Sequence, residues 1–308
     1  HLAASKLHPG RWLTNDSLKE SRSSRPRNPM SKTSLEQALI RPSIQPNIIQ
    51  GNPQTPWPNL WTSHVAAAQV IAVIDLSCNA QKTGRPCYDL GMCSHYEATT
   101  DSDRYRRHFG VELPAGIELH DLWPGYAGSF IRRPRSEDHA GQPPEREAMA
   151  GVFGLIPHWS KDTTIARRTY NARSETVAEK PSYRDAWRLG RRCIIPADAF
   201  YEPDWRSGKA VATRIFRADG KPMGLAGIWT GWRSPDGRIV RSYSMLTINA
   251  DDHPLMKQFH KPQDEKRMVV ILPEDRYQDW LQASPQQSRD FLLPSPVDEL
   301  TSGQTRPA

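Results

Sequence analysis

Cysteine and long apolar runs are both scarce in this chain, and each shortage excludes a class of protein. The 308 residues include four cysteines, and no two of them form a Cys-x-x-Cys pair. A metal site such as a zinc centre is therefore not expected, and a reduced cytoplasmic setting fits best. The one long apolar stretch, Val65–Leu76, is shorter than the roughly 20 residues that a bilayer-spanning helix needs. No membrane role is predicted.

Nucleotide-binding motifs are missing as well. The sequence contains no Gly-x-Gly-x-x-Gly and no P-loop, and no cofactor is expected. The net charge of +7 is uneven, because residues 1–91 contain ten Lys and Arg and five Asp and Glu, whereas residues 92–308 contain 31 and 29. Bulk charge alone therefore does not predict a nucleic-acid partner for the second segment.

Composition divides the chain into three parts. Residues 1–91 are rich in Ser, Pro, Asn and Arg and show little periodicity. They are interpreted as a disordered or non-native N-terminal extension, and a partner-binding tail is the least favoured alternative. Residues 92–283 are predicted to form one folded domain, and residues 284–308, where Pro and Ser return, a loose tail. The working part is expected to begin at Met92, either because translation starts there or because the chain cuts itself there.

Hairpin signals dominate the middle of this domain. Three apolar runs, Val211–Phe216, Met223–Trp229 and Ile239–Ile248, are separated by turns that contain Asp-Gly. A buried strand broken by Pro196 is predicted over Arg192–Phe200. Helices are predicted over Asp101–Phe109, Pro181–Leu189 and Pro273–Trp280. The pattern predicts a hairpin-rich α+β domain and not an alternating βαβ fold.

Four polar clusters lie far apart in this domain, and each has an ordinary explanation when taken alone. They are Met92–Ser94, Tyr170–Glu175, Ala199–Glu202 and Phe259–Met268. Glu202 could be a solvated strand end and His260 a loop histidine. Asn171 and Arg173 could be turn and surface residues, and Cys93 an ordinary thiol. No spacing rule connects them.

Taken together, the clusters resemble the SOS response-associated peptidase family, whose members are also called abasic-site processing proteins. The resemblance rests on Met92-Cys93, on Asn-Ala-Arg-Ser-Glu-Thr at 171–176, on Arg-Cys-Ile-Ile-Pro-Ala-Asp-Ala-Phe-Tyr-Glu at 192–202, and on His260 followed by Arg-Met-Val-Val-Ile-Leu at 267–272. It covers roughly residues 92–283, with the motifs in the family's order, and implies that these residues are the catalytic domain. It implies an α+β fold with a curved, mainly antiparallel, barrel-like sheet and flanking helices.

The resemblance also implies a function. Such proteins recognise an abasic site in single-stranded DNA and crosslink to it through an N-terminal cysteine, after autoproteolysis has removed the residue ahead of it. Cys93 corresponds to this nucleophile, and Asn171, Glu202 and His260 match the remaining active-site positions. The open abasic sugar carries an aldehyde. A free N-terminal cysteine offers both an amine and a thiol, which close a thiazolidine ring, whereas the nitrogen of an internal cysteine is an amide.

Each matching residue then has an expected role. His260 promotes opening of the sugar ring and proton transfer to the sugar oxygen, and Glu202 relays a proton from the Cys93 amine. Asn171 orients the Cys93 terminus by hydrogen bonding.

DNA binding needs phosphate contacts and stacking surfaces. Arg173 and Trp159 match DNA-contacting positions of the family. An arginine-rich stretch with few acids supplies further candidates, which are Arg167, Arg168, Arg173, Arg184, Arg188, Arg191 and Arg192. A solvated basic face and a half-buried tryptophan are the alternatives. The expected partner is single-stranded DNA with abasic sites, and the protein is expected to be a monomer in the cytoplasm, at the nucleoid in a bacterium.

The chain departs from the family pattern close to the nucleophile. Ser94 and His95 follow Cys93 where the family usually has Gly and Arg, and His95 would replace the arginine only weakly. Asp121 stands where an Asn often precedes a Pro-Gly turn, and an acid there is less favourable to phosphate. Ser160 replaces a second tryptophan.

Two other functions stay open at this point. A cysteine–histidine peptidase acting on other proteins would use Cys93 as thiolate, His260 as base and Asn171 as orienting residue, and it would not need a free amine. A non-covalent single-strand binder would use the arginine-rich stretch alone.

Overall fold

The structure, a computed structural model, describes residues 95–139 and 141–303. The predictions about residues 1–91, Met92, Cys93 and Ser94 lie outside the described residues. Within the described ranges, no helix is long and apolar enough to cross a bilayer.

The described residues form twelve strands that belong to one sheet. They are β1 (Tyr96–Ala98), β2 (Asp121–Leu122), β3 (Ala127–Arg132), β4 (Glu147–Phe153), β5 (Asn171–Arg173), β6 (Arg192–Asp204), β7 (Val211–Arg217), β8 (Met223–Arg233), β9 (Ile239–Asn249), β10 (Arg267–Val269), β11 (Ile271–Leu272) and β12 (Leu300–Gly303). The α-helices in the same ranges are α1 (Ser102–Phe109), α2 (Arg184–Arg188) and α3 (Tyr277–Gln282). Short 3-10 helices cover Ser136–Asp138, Thr164–Arg168, Met256–Gln258, Glu274–Arg276, Gln287–Phe291 and Val297–Glu299.

Five of these strands close into a ring. Strand β8 pairs with β9, β9 with β4, β4 with β3, β3 with β6, and β6 returns to β8. Of these five pairings, only that between β4 and β9 is parallel. Closure satisfies the backbone hydrogen bonds that an open sheet leaves at its edges. The predicted α+β fold with a curved, mainly antiparallel, barrel-like sheet is confirmed.

The two Asp-Gly turns have different outcomes. Asp236-Gly237 joins β8 to β9 as an antiparallel hairpin, as predicted. Asp219-Gly220 joins β7 to β8, but these two strands do not pair with each other within the described residues. The hairpin expected there is wrong because β6 is long enough to pair with both strands. Its segment 200–204 pairs with β7 and its segment 192–197 with β8.

Strand β6 also runs through the proline that was expected to break it. It extends for 13 residues, with Pro196 opposite Gly224 of β8. On its other side, β1 shifts register between Glu97 and Ala98, which relaxes the ladder where proline lacks an N–H. The strand is buried along nearly its whole length, and Cys193 within it is a fully buried free thiol, as predicted.

Helix α1 follows its sequence signals closely. The Asp101 side chain accepts a hydrogen bond from the Arg104 N–H at 2.7 Å and caps the first turn. Gly110 ends the helix in the left-handed conformation, with a φ of 71°. Tyr105 and Phe109 bury one face of the helix against the core. Helix α2 is shorter than predicted, because residues 174–183 form turns.

The C-terminal segment is more ordered than its composition suggests. The expectation of a loose tail is wrong for residues 284–303, since β12 pairs with β7 and the 3-10 helix Gln287–Phe291 buries Ser288 and Phe291. Leu300 also joins the core. Two apolar anchors spaced nine residues apart stabilise this segment although prolines and serines surround them.

Candidate active site

Glu202 and His260 form a buried pair at the end of β6. Glu202 lies opposite Thr213 of β7, and its side chain has no solvent exposure. The Nε2 atom of His260 lies 3.2 Å from Glu202 Oε2, and the His260 side chain is 5% exposed. The His260 backbone N–H donates to the Pro203 carbonyl at 2.8 Å. The structure therefore brings together two predicted residues that are distant in sequence.

The backbone of His260 is strained. Its φ of 63° is the one positive value among the non-glycine residues that the structure describes. A left-handed non-glycine residue costs on the order of 1 kcal/mol and persists only where its surroundings fix it. Here the hydrogen bond to Pro203 and the burial of Phe259 and His260 do so. Such strain is frequent at functional sites.

The environment of His260 favours the neutral imidazole. Burial lowers the pKa of His260 below its ordinary value of 6.5, and nearby Lys266 lowers it further. A hydrogen bond with the Arg267 backbone and the charge of Asp264 oppose these effects without cancelling them. At neutral pH the ring can therefore accept a proton, which is what a general base must do.

Asn171 lies on β5, a strand that pairs in parallel with β9 and places Asn171 opposite Met245. The Tyr183 hydroxyl donates to the Asn171 carbonyl at 3.0 Å and fixes its backbone. Strand β5 and strand β10 both pair with β9 at Thr247. The motif at 171–176 and the segment after His260 therefore meet at one end of β9.

An ion-pair network holds these two segments together. Arg173 pairs with Glu265 at 2.8 Å, and Arg267 pairs with both Glu265 and Glu175 at 2.8 and 2.9 Å. Arg267 is almost fully buried, whereas the Arg173 side chain is 46% exposed. Arg173 is thus accessible, but a phosphate has to compete with Glu265 for its guanidinium.

His95 lies in a slot between two aromatic rings, one of which belongs to Tyr201, the residue before Glu202. Its ring stacks on Trp123 and on Tyr201, with centroid distances of 4.3 Å on both sides and interplanar angles of 7° and 9°. Its Nε2 lies 3.2 Å from Asp121 Oδ1. The His95 carbonyl accepts a hydrogen bond from the N–H of Tyr201, the residue before Glu202, at 3.1 Å. Two departures from the family pattern, His95 and Asp121, therefore contact each other.

A buried hydrogen-bond network holds Tyr201, which is one wall of the slot. The Tyr201 hydroxyl donates to Glu97 Oε1 at 2.6 Å, and Arg214 donates to both Glu97 oxygens at 2.8 to 3.0 Å. Burial opposes ionisation of Glu97, but the hydrogen bonds from Arg214 and Tyr201 outweigh it and lower the pKa of this carboxyl. His120 lies 3.4 Å from the same carboxylate.

Sequence reasoning missed Trp123, Glu97 and Arg214 as parts of the site, and it gave Tyr201, which lies within the motif at 192–202, no role of its own. Their proximity depends on strand register, since β1 pairs with both β2 and β6 and so brings three separate segments together. The one available signal was Trp123 beside the Pro-Gly turn.

The predicted DNA-contacting residues have different environments. The Trp159 side chain is 49% exposed, and its Nε1 donates to the Pro181 carbonyl at 3.4 Å. Arg167 and Arg168 are exposed at the end of the 3-10 helix Thr164–Arg168. They make no ion pair with any residue that the structure describes.

The arginine-rich stretch is not one solvated face. Arg192 is buried, stacks on Trp187 at 3.9 Å, and donates through Nε to Ser288 at 2.6 Å. Arg188 pairs with Asp185, and Arg191 donates to Thr230. Arg192 is therefore a structural residue, since it is enclosed by Trp187 and Ser288, and its burial lowers the pKa of its guanidinium to about 10. Among residues 95–139 and 141–303, no cluster of His, Cys, Asp and Glu could hold a metal ion.

Comparisons with known proteins identify the family of this chain. The family model described as SOS response associated peptidase (SRAP) matches residues 92–306. The abasic site processing protein YoaM of Bacillus subtilis is 35% identical over 158 residues, which are 49% of this chain and 65% of that protein. The abasic site processing protein HMCES of Xenopus tropicalis is 28% identical over 180 residues, 51% of this chain and 52% of that protein. The chain thus spans less than two thirds of the length of these two curated relatives.

A solved structure from Bordetella bronchiseptica is similar along its whole length. It is 49% identical in sequence, the match covers 70% of this chain and 100% of that one, and the TM-score is 0.63. A second solved structure, from Bacteroides thetaiotaomicron, has a TM-score of 0.55 at 22% identity and shows the shared fold alone. The matched family model covers more than half of the chain, and this chain belongs to the SOS response-associated peptidase family.

Proposed function

We propose that this protein processes abasic sites in single-stranded DNA and that Cys93, as the N-terminal residue, forms a covalent thiazolidine crosslink with the open-ring sugar. The observation that carries the proposal is the buried Glu202–His260 pair, 3.2 Å apart. It lies next to Tyr201, which holds His95 by a backbone hydrogen bond. The names of the relatives support the same activity.

Covalent geometry limits the distance between Cys93 and this pair. His95 follows Cys93 by two residues, and two residues of extended chain span at most roughly 7 Å. His95 is hydrogen-bonded to Tyr201, the residue before Glu202. A two-residue extension is therefore long enough for the Cys93 amine to approach the Glu202 carboxylate.

The proposed reaction starts with the closed sugar. Neutral His260 takes the proton from the C1 hydroxyl as the bond between C1 and the ring oxygen breaks, and returns it to the ring oxygen. The Cys93 amine then attacks the C1 aldehyde, and Glu202 takes a proton from the nitrogen and gives it to the former aldehyde oxygen. The resulting hydroxyl leaves as water with the second nitrogen proton, which gives an imine. The Cys93 thiol adds to the imine carbon, and its proton passes to the nitrogen as the thiazolidine closes. Two acid–base groups held at hydrogen-bonding distance suit these sequential proton transfers.

DNA binding is assigned to the exposed groups of the predicted interface. Arg167 and Arg168 are available for phosphate contacts, and Trp159 presents a half-exposed ring for stacking on a base. Arg173 contributes when its partner Glu265 is displaced. Asn171 orients the Cys93 terminus.

A free amine on Cys93 requires removal of every residue ahead of it. Glu202 of the same pair can assist hydrolysis of the Met92–Cys93 bond, since its carboxylate can take a proton from an attacking group and return it to the leaving Cys93 amine. Mass spectrometry of protein that starts at Met92 tests this step. The expected N-terminus is Cys93 in the parent protein and Met92 in a Cys93→Ala variant.

Incubation with abasic single-stranded DNA followed by a denaturing gel tests the crosslink. Protein with a free Cys93 should migrate with the DNA, whereas Cys93→Ser, which keeps the amine but lacks the thiol, should give no stable band. An oligonucleotide with a tetrahydrofuran lesion, which has no aldehyde, is the matched DNA control. A stable band with that oligonucleotide would contradict the proposed chemistry.

The Glu202–His260 pair also suits a cysteine–histidine peptidase, in which a carboxylate orients the base. Acetylation of the Cys93 amine, with the thiol left free, separates the two functions. Loss of the DNA crosslink supports the proposal, and cleavage of a peptide substrate by the acetylated protein supports the peptidase.

A further inference from the structure

We propose that His95, held between Trp123 and Tyr201, is a positioning residue that holds the start of the domain against the Glu202–His260 pair. The inference rests on the proposed function, because it concerns the geometry of the Cys93 amine during crosslink formation. It assigns to His95 a role through stacking that does not depend on contact with DNA.

The slot encloses the imidazole on both faces. The two ring-to-ring distances of 4.3 Å are equal, and both rings lie within 9° of parallel to it. The His95 side chain is 15% exposed. Asp121, whose Oδ1 is 3.2 Å from Nε2, fixes the rotation of the imidazole within the slot. Offset stacking of this kind fixes the plane of a ring and therefore the path of the backbone that carries it.

The walls of the slot are themselves fixed. Tyr201 is held through its hydroxyl by Glu97, which Arg214 grips with two nitrogens. Trp123 follows β2 directly, and its carbonyl accepts a hydrogen bond from Tyr126 in the next turn. A ring inserted between two such walls cannot move without breaking contacts on both sides.

Strand β1, at the start of the domain, needs contacts beyond its own ladder to stay paired. Strand β1 has three residues, and its ladder with β6 shifts register between Glu97 and Ala98. Short strands at chain ends fray unless other contacts hold them. His95 attaches the start of β1 to Tyr201 in two ways. Its carbonyl accepts a hydrogen bond from the Tyr201 N–H, and its ring stacks on the Tyr201 ring. Loss of the ring therefore loosens the segment that carries Cys93.

The test compares crosslinking rate with DNA affinity in His95 variants that start at Met92. His95→Ala empties the slot and should lower the single-turnover rate constant for crosslinking about tenfold or more. Its Kd for tetrahydrofuran DNA should stay within twofold of the parent value. His95→Phe refills the slot and should recover at least a third of the parent rate, although it cannot bond to Asp121. His139→Ala removes a histidine remote from the slot and is the control.

Hydrogen exchange gives a second readout that does not depend on the reaction. In His95→Ala the amides of residues 96–98 should exchange faster, while protection of β8 and β9 stays unchanged, which also shows that the variant folds. A parent-like crosslinking rate in His95→Ala would overturn the inference, and so would a loss of DNA affinity that accounts for the whole rate effect. If the parent protein forms no crosslink at all, the proposed function itself fails.

Discussion

The Glu202 carboxylate and the His260 imidazole lie 3.2 Å apart, and both side chains are almost fully buried. Groups so close and so buried act as a unit, because removing either partner changes the environment of the other. This coupling distinguishes a reacting pair from two residues that assist independently.

The coupling gives a prediction for a double-mutant cycle. Glu202→Gln and His260→Ala should each slow crosslinking by about 100-fold or more, within the range for a lost general acid or base. The double variant should be slower than the slower single variant by no more than about threefold, because the loss of either group already impairs its buried neighbour 3.2 Å away. Single-turnover gels measure all three rates, with exposed Glu118→Gln as the control. A double variant whose rate reduction equals the product of the two single reductions would contradict this coupling.

The sequence predicted which residues form the reacting pair, but it did not predict how the side chains around them are arranged. Glu202 and His260 were predicted from their motifs, and the structure places them together. The slot around His95 was not predicted, because it needs the register of β1 against β2 and β6, which no local pattern encodes. Arg192 was grouped with surface arginines because charge alone does not reveal the tryptophan stacked beneath it.

Strand β4 ends at Phe153, and the chain then turns at Gly154. The φ of this glycine is 107°, and a Cβ built there would lie 2.0 Å from the backbone oxygen of Ala166. The turn therefore depends on the absence of a side chain, for both conformational and steric reasons.

Gly154→Ala should reduce the free energy of unfolding by on the order of 3 kcal/mol or more, because backbone has to move to relieve the contact. Gly110→Ala is the matched control. Its φ of 71° is also positive, but no atom lies within 4 Å of the added Cβ, so the cost should be roughly 1–2 kcal/mol. Urea denaturation measures both. Equal effects at the two positions would show that the contact at Ala166 relaxes freely.

Elements were predicted well where the signal was local. The hairpin between β8 and β9 follows from Asp-Gly, and the helix predicted over Asp101–Phe109 is α1, Ser102–Phe109. Closure of the barrel through β4 and β9 was implied only by the family resemblance. A parallel pairing between distant strands leaves no turn signal, and it depends on the loop entropy and burial of the whole chain.

Across the part of the chain that the structure describes, burial lowers the pKa values of three histidines, His95, His108 and His260. In the unfolded chain they bind protons near the ordinary value of about 6.5, whereas in the folded protein they do so only at lower pH. Between these values the unfolded state holds more protons, so stability falls as the pH decreases.

The free energy of unfolding should therefore decrease from pH 7.5 to pH 5.5, before the carboxylates begin to titrate. Urea titrations at pH 7.5, 6.5 and 5.5 measure it. His108→Asn, away from the proposed site, should flatten the dependence in part and leave crosslinking at pH 7.5 unchanged. A stability that does not change over this range would contradict the buried neutral state of these rings.

Electrostatics across the whole surface gives a prediction for DNA. Each phosphate contact adds about 0.7 to the slope of log affinity against log salt for a single strand. Arg167→Ala and Arg168→Ala should each reduce that slope by about this amount with tetrahydrofuran DNA, as measured by fluorescence anisotropy. Arg289→Ala removes an exposed charge beside Ser288, which bonds to Arg192 at the opposite end of β6 from Glu202. It should leave the slope unchanged.

Strand β6 begins at Arg192, beneath the C-terminal helices, and carries Glu202 near its other end. The same strand forms the seam where the ring of strands closes. A substitution in this strand should therefore change both the melting temperature and the reaction rate. A laboratory selection for faster variants should collect its gains at residues 261–264, which lie between His260 and the ion-pair network of Glu265 and Arg267 and outside the seam.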